Sequence, residues 1–203
     1  MRLFSNTSTW VLTGALAVAV PLCVAQAYPS QAPSQNPQTS SQATSHPSRS
    51  SMSANERAAN LLNTVNKSEI DDAQMVAGRT QNEQVKDFAQ MLMNEHKDAQ
   101  SKLESAANAA NVNLMEDEAM TKSNDKKLDR WKNEPPANMD KAYVNAEIRG
   151  HRNVLKRLQS LEPQITDPQL KSLVQDSVPA LQKHLKAAEQ LRSQIGSGSG
   201  SGH

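Results

Sequence analysis

The stretch QNEQVKDFAQMLMNEHKDAQSKLESAANAA, residues 81–110, decides the fold. It contains neither glycine nor proline, and its apolar and small residues recur at alternating intervals of four and three. That spacing is typical of the inner face of an α-helix that packs against other helices. The row consists of Val85, Ala89, Leu92, His96, Ala99, Leu103, Ala106 and Ala110. The stretch therefore predicts a long amphipathic helix in which His96 occupies a position that calls for an apolar residue.

The rest of residues 53–195 has a similar composition and predicts an all-α domain. Ala, Leu, Gln, Lys, Glu and Asn dominate, and no segment shows the alternation of Val, Ile and aromatic residues that strands favour. The capping patterns Ser53-x-x-Glu56 and Thr80-x-x-Glu83, together with the breaks NEPPAN (133–138) and EPQITDP (162–168), delimit four long helices. We predict these helices at about 54–79, 81–110, 139–161 and 168–195.

The connections predict how the helices are arranged. Short turns join the first helix to the second and the third to the fourth, which favours two antiparallel hairpins. A longer connection joins the hairpins. Residues 112–124 of this connection are expected to be irregular, followed by a short helical piece around Leu128–Trp131. The predicted fold is a four-helix bundle.

The ends of the chain differ from this helical domain. Residues 1–27 are typical of a signal peptide, with Arg2, a mostly apolar run over 11–27 and the cleavage pattern Ala25-Gln26-Ala27. An uncleaved anchor and lipid attachment at Cys23 remain as alternatives. Residues 28–52 are rich in Pro, Ser, Gln and Thr and predict a disordered linker, and residues 196–203 predict a flexible Gly/Ser tail. We expect an exported protein, periplasmic or secreted, whose mature chain lacks a transmembrane span.

The charge balance argues against nucleic-acid binding. The chain has 22 Lys and Arg against 21 Asp and Glu, and removal of Arg2 with the signal leaves 21 of each. A protein that binds DNA or RNA through phosphates normally carries a clear excess of positive charge. No dense basic run favours a membrane surface either, and association of the exported protein with the cell envelope stays an open alternative.

A side chain that can bind a metal stands in the inward row of each predicted helix: Glu69 in the first, His96 in the second, Glu147 and His151 in the third, and His184 in the fourth. Residues equally distant from a hairpin turn lie level, which places His184 close to Glu147 and about one turn from His151. His96 lies roughly 7–8 Å along the axis from the level of Glu69. These five residues form a candidate site for zinc, iron, copper or nickel, and the pattern does not choose among them.

Two interpretations of these residues need no metal. Neutral imidazoles that hydrogen-bond to their neighbours can fix the register of packed helices, as buried polar groups do elsewhere. The same side chains could also be partly exposed to solvent. The spacing alone leaves these alternatives open.

Three segments carry a resemblance to a known family. They are SEIDDAQMVAGRTQNEQVKDFAQMLMNEH (68–96), MDKAYVNAEIRGH (139–151) and VPALQKHLKAAEQL (178–191). Over about residues 57–192 the chain resembles the ferritin-like family of exported bacterial proteins called domain of unknown function 4142, often labelled predicted outer membrane proteins. Met139 stands where that family usually has Phe. The resemblance implies a ferritin-like four-helix fold, an envelope location and a candidate metal site, but no activity.

The leading hypothesis is therefore an exported ferritin-like protein that binds a transition metal and has little or no catalytic activity. A metal-free structural or stress-related interaction module of the envelope is the first alternative, and a metal-dependent oxidase is the second.

The sequence lacks the motif that such an oxidase needs. Di-iron oxidases of this fold use Glu-x-x-His pairs. Here Glu95 directly precedes His96, which should direct its carboxylate about 100° away, and Leu181 stands three residues before His184. Both features count against an oxidase.

Overall fold

The computed structural model describes residues 51–197, and the regular structure of this part of the chain is entirely helical. The helices are α1 (Ala54–Ala77), α2 (Glu83–Ala109), α3 (Glu118–Lys132), α4 (Pro136–Leu161) and α5 (Pro168–Ser197), with a short 3-10 turn at Glu162–Gln164. The prediction of an all-α domain is confirmed. The predicted signal peptide, nearly all of the predicted linker and residues 198–203 lie outside the described residues. The expected tail begins later than predicted, because α5 includes Gly196 and Ser197.

Local capping chemistry sets where the helices begin. Ser53 caps α1 as predicted: its side chain accepts from the Glu56 N–H, and the Glu56 carboxylate accepts from the Ser53 N–H at 2.7 Å. The prediction for α2 was wrong by two residues. Asn82, not Thr80, is the cap, and its side chain accepts from the Gln84 and Val85 N–H groups. Asparagine is an equal or better cap than threonine, so the helix begins at the later position.

Residues 112–117 are irregular as predicted, but α3 begins at Glu118, so the prediction was wrong for 118–124, and the predicted helical piece around Leu128–Trp131 is the end of this helix. Asp117 caps it by accepting from the N–H groups of Ala119 and Met120. Of its residues only Asn124 and Trp131 are buried, so its sequence has almost no apolar row to reveal it. The helix packs on α1, where Lys127 forms an ion pair with the buried Asp72.

The four long helices enclose one interior. Helix α1 packs against α2 and α4, and α5 packs against the same two helices. The apolar residues inside form two clusters. One is built around Leu61, Leu103, Leu158 and Leu181, and the other around Val76, Leu92, Tyr143 and Ala188. Along each of the four long helices, the residues of one cluster come before the residues of the other. The two clusters therefore occupy opposite ends of the interior, with a boundary layer between them.

Four of the polar residues that were predicted to face inward lie at this boundary. In α1 Glu69 separates Val65 from Ala73, which belong to different clusters, and in α2 His96 separates Leu92 from Leu103 in the same way. His151 and His184 stand between the clusters in α4 and α5. The interior therefore consists of two apolar regions with a layer of ionisable side chains between them. None of the helices within residues 51–197 is long and apolar enough to cross a membrane.

Candidate metal centre

The three histidines of the helical domain meet in the polar layer. Each is at most 3% exposed, and the ring centroids lie 5.2 Å (His96–His184), 5.3 Å (His151–His184) and 5.9 Å (His96–His151) apart. One nitrogen from each ring lies within 4.8 Å of those from the other two, so the group can hold a metal ion. The hydrogen bond on the far side of each ring determines which nitrogen is free to do so.

The backbone of α4 fixes the tautomer of His151. Its Nδ1 lies 2.9 Å from the carbonyl oxygen of Glu147, one turn earlier in the same helix. A carbonyl oxygen can only accept, so Nδ1 carries the proton and donates it. The remaining nitrogen, Nε2, then has a lone pair directed into the polar layer.

A carboxylate from α2 fixes the tautomer of His184. Glu95 Oε2 lies 2.8 Å from His184 Nε2, and Glu95 Oε1 accepts from Lys183 at 2.6 Å. Burial acts to raise the pKa of Glu95, but the hydrogen bonds from Lys183 and His184 lower it below its ordinary value, so the group is an anionic acceptor. His184 therefore donates from Nε2, and its Nδ1 lone pair faces His151.

A chain of amides fixes the tautomer of His96. The chain starts at the Met115 carbonyl oxygen, which accepts from Asn63 Nδ2 at 3.1 Å. Asn63 Oδ1 then accepts from Gln100 at 2.9 Å, and Gln100 Oε1 accepts from Asn66 at 3.3 Å. Because the first group can only accept, every amide in the chain is oriented, and Asn66 Oδ1 must accept from His96 Nδ1 at 3.0 Å. The His96 Nε2 atom is buried and has no hydrogen-bond partner within residues 51–197.

The lone pairs of His151 and His184 thus face each other, and one nitrogen of His96 lies within 4.8 Å of one nitrogen of each. His151 Nε2 and His184 Nδ1 lie 3.3 Å apart. Two nitrogens bound to one tetrahedral zinc ion at about 2.0–2.1 Å would lie about 3.3 Å from each other. Two lone pairs facing each other at this distance repel unless a proton or a metal cation lies between them. The arrangement fits a metal ion held by nitrogen ligands.

Burial disfavours a second proton on His96 and on His184. Burial lowers the pKa of His96 to about 4, although the nearby Glu69 carboxylate opposes the shift. Burial also lowers the pKa of His184, against the opposing effect of its hydrogen bond to Glu95. Neutral imidazole is the form that binds metals, so burial favours the metal-binding form of His96 and His184.

The two carboxyl groups predicted for the site form a second, overlapping group with His151. Burial and the charge of Glu69 raise the pKa of Glu147 well above its ordinary value. Burial opposes ionisation of Glu69 too, but the positive charge that His151 has when protonated and the hydrogen bond from Glu147 lower the pKa of Glu69 to about 2. One proton therefore stays on Glu147 and one negative charge on Glu69. Since His151 already donates from Nδ1, this group has no imidazole lone pair for a second ion.

A cavity of about 330 Å³ leads to the histidines between α2 and α5. His96 and His184 line it, and so do three acidic residues, Glu95, Asp98 and Asp176, against the single cation Lys102. An acidic cleft attracts cations and raises their local concentration. The cavity is thus suited to admit a metal ion to the nitrogen ligands.

All five sequence-predicted residues lie in the polar layer, but two important contacts were missed. The carboxylate of Glu95 was expected to point away from the site, and it instead reaches across to His184 on α5. Asn66, which holds His96, was not identified. A single sequence gives no signal for either contact, because both depend on the rotational setting of neighbouring helices.

The pKa of His96 predicts the pH dependence of the metal-free protein. The ordinary pKa of histidine, 6.5, falls to about 4 in the folded state. Between these values the unfolded chain binds a proton that the folded chain rejects, so the free energy of unfolding should decrease as the pH is lowered from 6.5 to 4. His96→Gln, which keeps a donor for Asn66, should weaken this decrease. Urea denaturation at half-unit pH steps measures it, and an unchanged pH dependence in the variant would contradict the assignment.

Comparisons with known proteins identify the family. A family model described as a domain of unknown function, DUF4142, matches residues 37–191, which is about three quarters of the chain. The match begins inside the segment predicted as a linker, about 20 residues before the start of the resemblance seen in the sequence. No curated protein and no solved structure matches the chain. This chain belongs to the DUF4142 family.

Proposed function

We propose that this chain is an exported, ferritin-like four-helix bundle that binds one transition-metal ion through His96, His151 and His184. The observation that carries the proposal is the pair of opposed lone pairs on His151 and His184, 3.3 Å apart in a buried layer. Burial of three imidazoles and the Glu147 carboxyl group costs stability unless these groups gain compensating interactions. A bound cation supplies that compensation.

The ligand set determines which ions suit the site. Three neutral imidazoles bind zinc, copper, nickel or iron, whereas calcium and magnesium prefer oxygen ligands. The Glu69 carboxylate belongs to the overlapping group with His151, and its negative charge would partly neutralise a divalent ion. The Glu147 carbonyl and the Glu95 carboxylate hold two of the rings in the binding tautomer. Such hydrogen bonds behind the ligands raise metal affinity.

Metal binding or storage in the cell envelope is the proposed role, and a metal-dependent oxidase fits the residues less well. The envelope location rests on the signal-like residues 1–27. Di-iron oxidases of ferritin-like fold use four carboxylates and two histidines. Within residues 51–197, the proton held by Glu147 and the donor role of His151 Nδ1 leave no second metal site with a histidine ligand. Added Fe(II) should therefore bind without catalysing oxygen consumption.

Zinc titration tests the function directly. Protein freed of metal and then of chelator should bind one equivalent of Zn²⁺ by isothermal titration calorimetry. Free zinc at 100 times Kd should raise the free energy of unfolding by about 2.7 kcal/mol. His184→Ala should weaken binding by more than about 100-fold, since it removes a ligand, and Glu95→Gln should weaken it about 10–100-fold.

Glu189→Gln is the matched control, because Glu189 forms an exposed ion pair with Arg152 across the same α4–α5 contact but does not touch the histidines. It should leave zinc affinity unchanged. Circular dichroism checks that every variant folds. Absence of zinc binding, or equal melting temperatures of the intact protein with and without zinc, would support the metal-free structural module instead.

The acidic cavity predicts how fast the ion arrives. Asp98→Asn combined with Asp176→Asn should slow zinc association several-fold at low salt, because the cleft loses two of its three acidic residues. Added salt should reduce the difference between the variant and the intact protein. Stopped-flow measurement with a competing zinc indicator gives the rate. Asp87→Asn with Asp125→Asn removes the same charge from residues outside this cavity, and an equal slowing there would contradict the proposed path.

A further inference from the structure

A second cavity lies on the other side of α1, between α1, α3 and α4, and its charge is opposite to that of the histidine cavity. Its volume is about 700 Å³, within the roughly 300–1,000 Å³ range of small-molecule sites. Glu69 is the one carboxylate in its lining. Six cationic residues surround it: Lys126, Lys127, Arg130, Arg149, Lys156 and Arg157.

This concentration of positive charge is a local feature of a nearly neutral chain. The whole sequence has 22 basic against 21 acidic side chains, whereas the lining of this cavity has six against one. A concave region lined by one sign of charge focuses the electric field and attracts ions of the other sign. The cavity is therefore electrostatically suited to an anion, although the protein as a whole is not.

Most of these cations are available to a ligand. Lys127 is engaged with Asp72, and Arg157 contacts the Met120 sulfur. The other four form no ion pair and no side-chain hydrogen bond within the described part of the chain. They are Lys126 and Arg130 on α3, and Arg149 and Lys156 on α4. All four are exposed, so their replacement should not disturb the core.

The cations come from two helices that face each other across the cavity. Two lie on α3 and two on α4, which allows a ligand to be held from both sides. Ser68, Ser123 and Asn153 add neutral hydrogen-bond donors to the lining. Arginine presents its N–H groups in a planar fork that matches carboxylate and phosphate oxygens. The chemistry of the lining thus favours oxygen anions that carry more than one negative charge.

We propose that the cavity between α1, α3 and α4 binds a small multivalent oxyanion, a phosphate or polycarboxylate compound, through Arg130, Arg149 and Lys156. The Glu69 carboxylate repels the anion from the inner end, so the ligand lies toward the four free cations. The volume favours a compound larger than a single inorganic phosphate. A concave site also favours a small molecule over an extended polyanion or a membrane surface. None of these cations is a proposed metal ligand, so the inference does not depend on metal binding.

Calorimetric titration with citrate and with inorganic phosphate tests the proposal. The intact protein, freed of metal and dialysed free of chelator, should bind one equivalent of citrate at low salt, and phosphate more weakly. Added sodium chloride should weaken both. Arg149→Gln combined with Lys156→Gln should reduce citrate affinity at least 10-fold.

Lys97→Gln combined with Arg192→Gln is the matched control, since it removes two exposed charges from α2 and α5, outside the cavity. It should leave citrate affinity within about twofold. His184→Ala should also retain citrate binding, which separates failure of the metal proposal from failure of this one. No saturable binding of either anion, an equal loss in both double variants, or binding only to vesicles of anionic lipid would overturn the inference.

Discussion

The opposed nitrogen lone pairs of His151 and His184 are the constraint on which the rest of the site depends. Each ring is held from behind by an acceptor, a backbone carbonyl in one case and a carboxylate in the other. With those protons committed, the 3.3 Å contact between Nε2 and Nδ1 is unfavourable without a cation between them. The proposed metal ion would turn a repulsive contact into two coordinate bonds, and a nitrogen of the nearby His96 would supply a third.

The position of this layer explains how the protein tolerates it. Two apolar clusters lie on either side, so hydrophobic burial along most of each long helix stabilises the fold while one turn per helix contributes polar groups. Asn66 and Glu95 satisfy two of the ring nitrogens and hold the rings in place. The two cavities reach the layer from different sides, an acidic one at the histidines and a basic one at Glu69. The proposed cation site therefore lies at the histidines, and the proposed anion site lies among the exposed cations of the other cavity.

Much of this arrangement could be predicted from the sequence, because helical periodicity is local. The four-and-three spacing placed His96 and His184 among buried residues, and both are buried. The first half of α3 was missed because only two residues of this helix are buried and it has no apolar row. The Glu95–His184 contact was missed because it joins residues 89 positions apart and depends on how two helices are rotated about their axes. Spacing alone specifies neither that rotation nor the rotamer of a long side chain.

The most direct test is long-range ¹H–¹⁵N NMR of the imidazole nitrogens in the zinc-loaded protein. The account predicts that His96 and His151 coordinate through Nε2 and remain protonated at Nδ1, while His184 coordinates through Nδ1 and remains protonated at Nε2. Coordination of His184 through Nε2 would contradict it, since the Glu95 hydrogen bond would then have to break. Imidazole nitrogen shifts that do not change on addition of zinc would contradict the metal centre altogether.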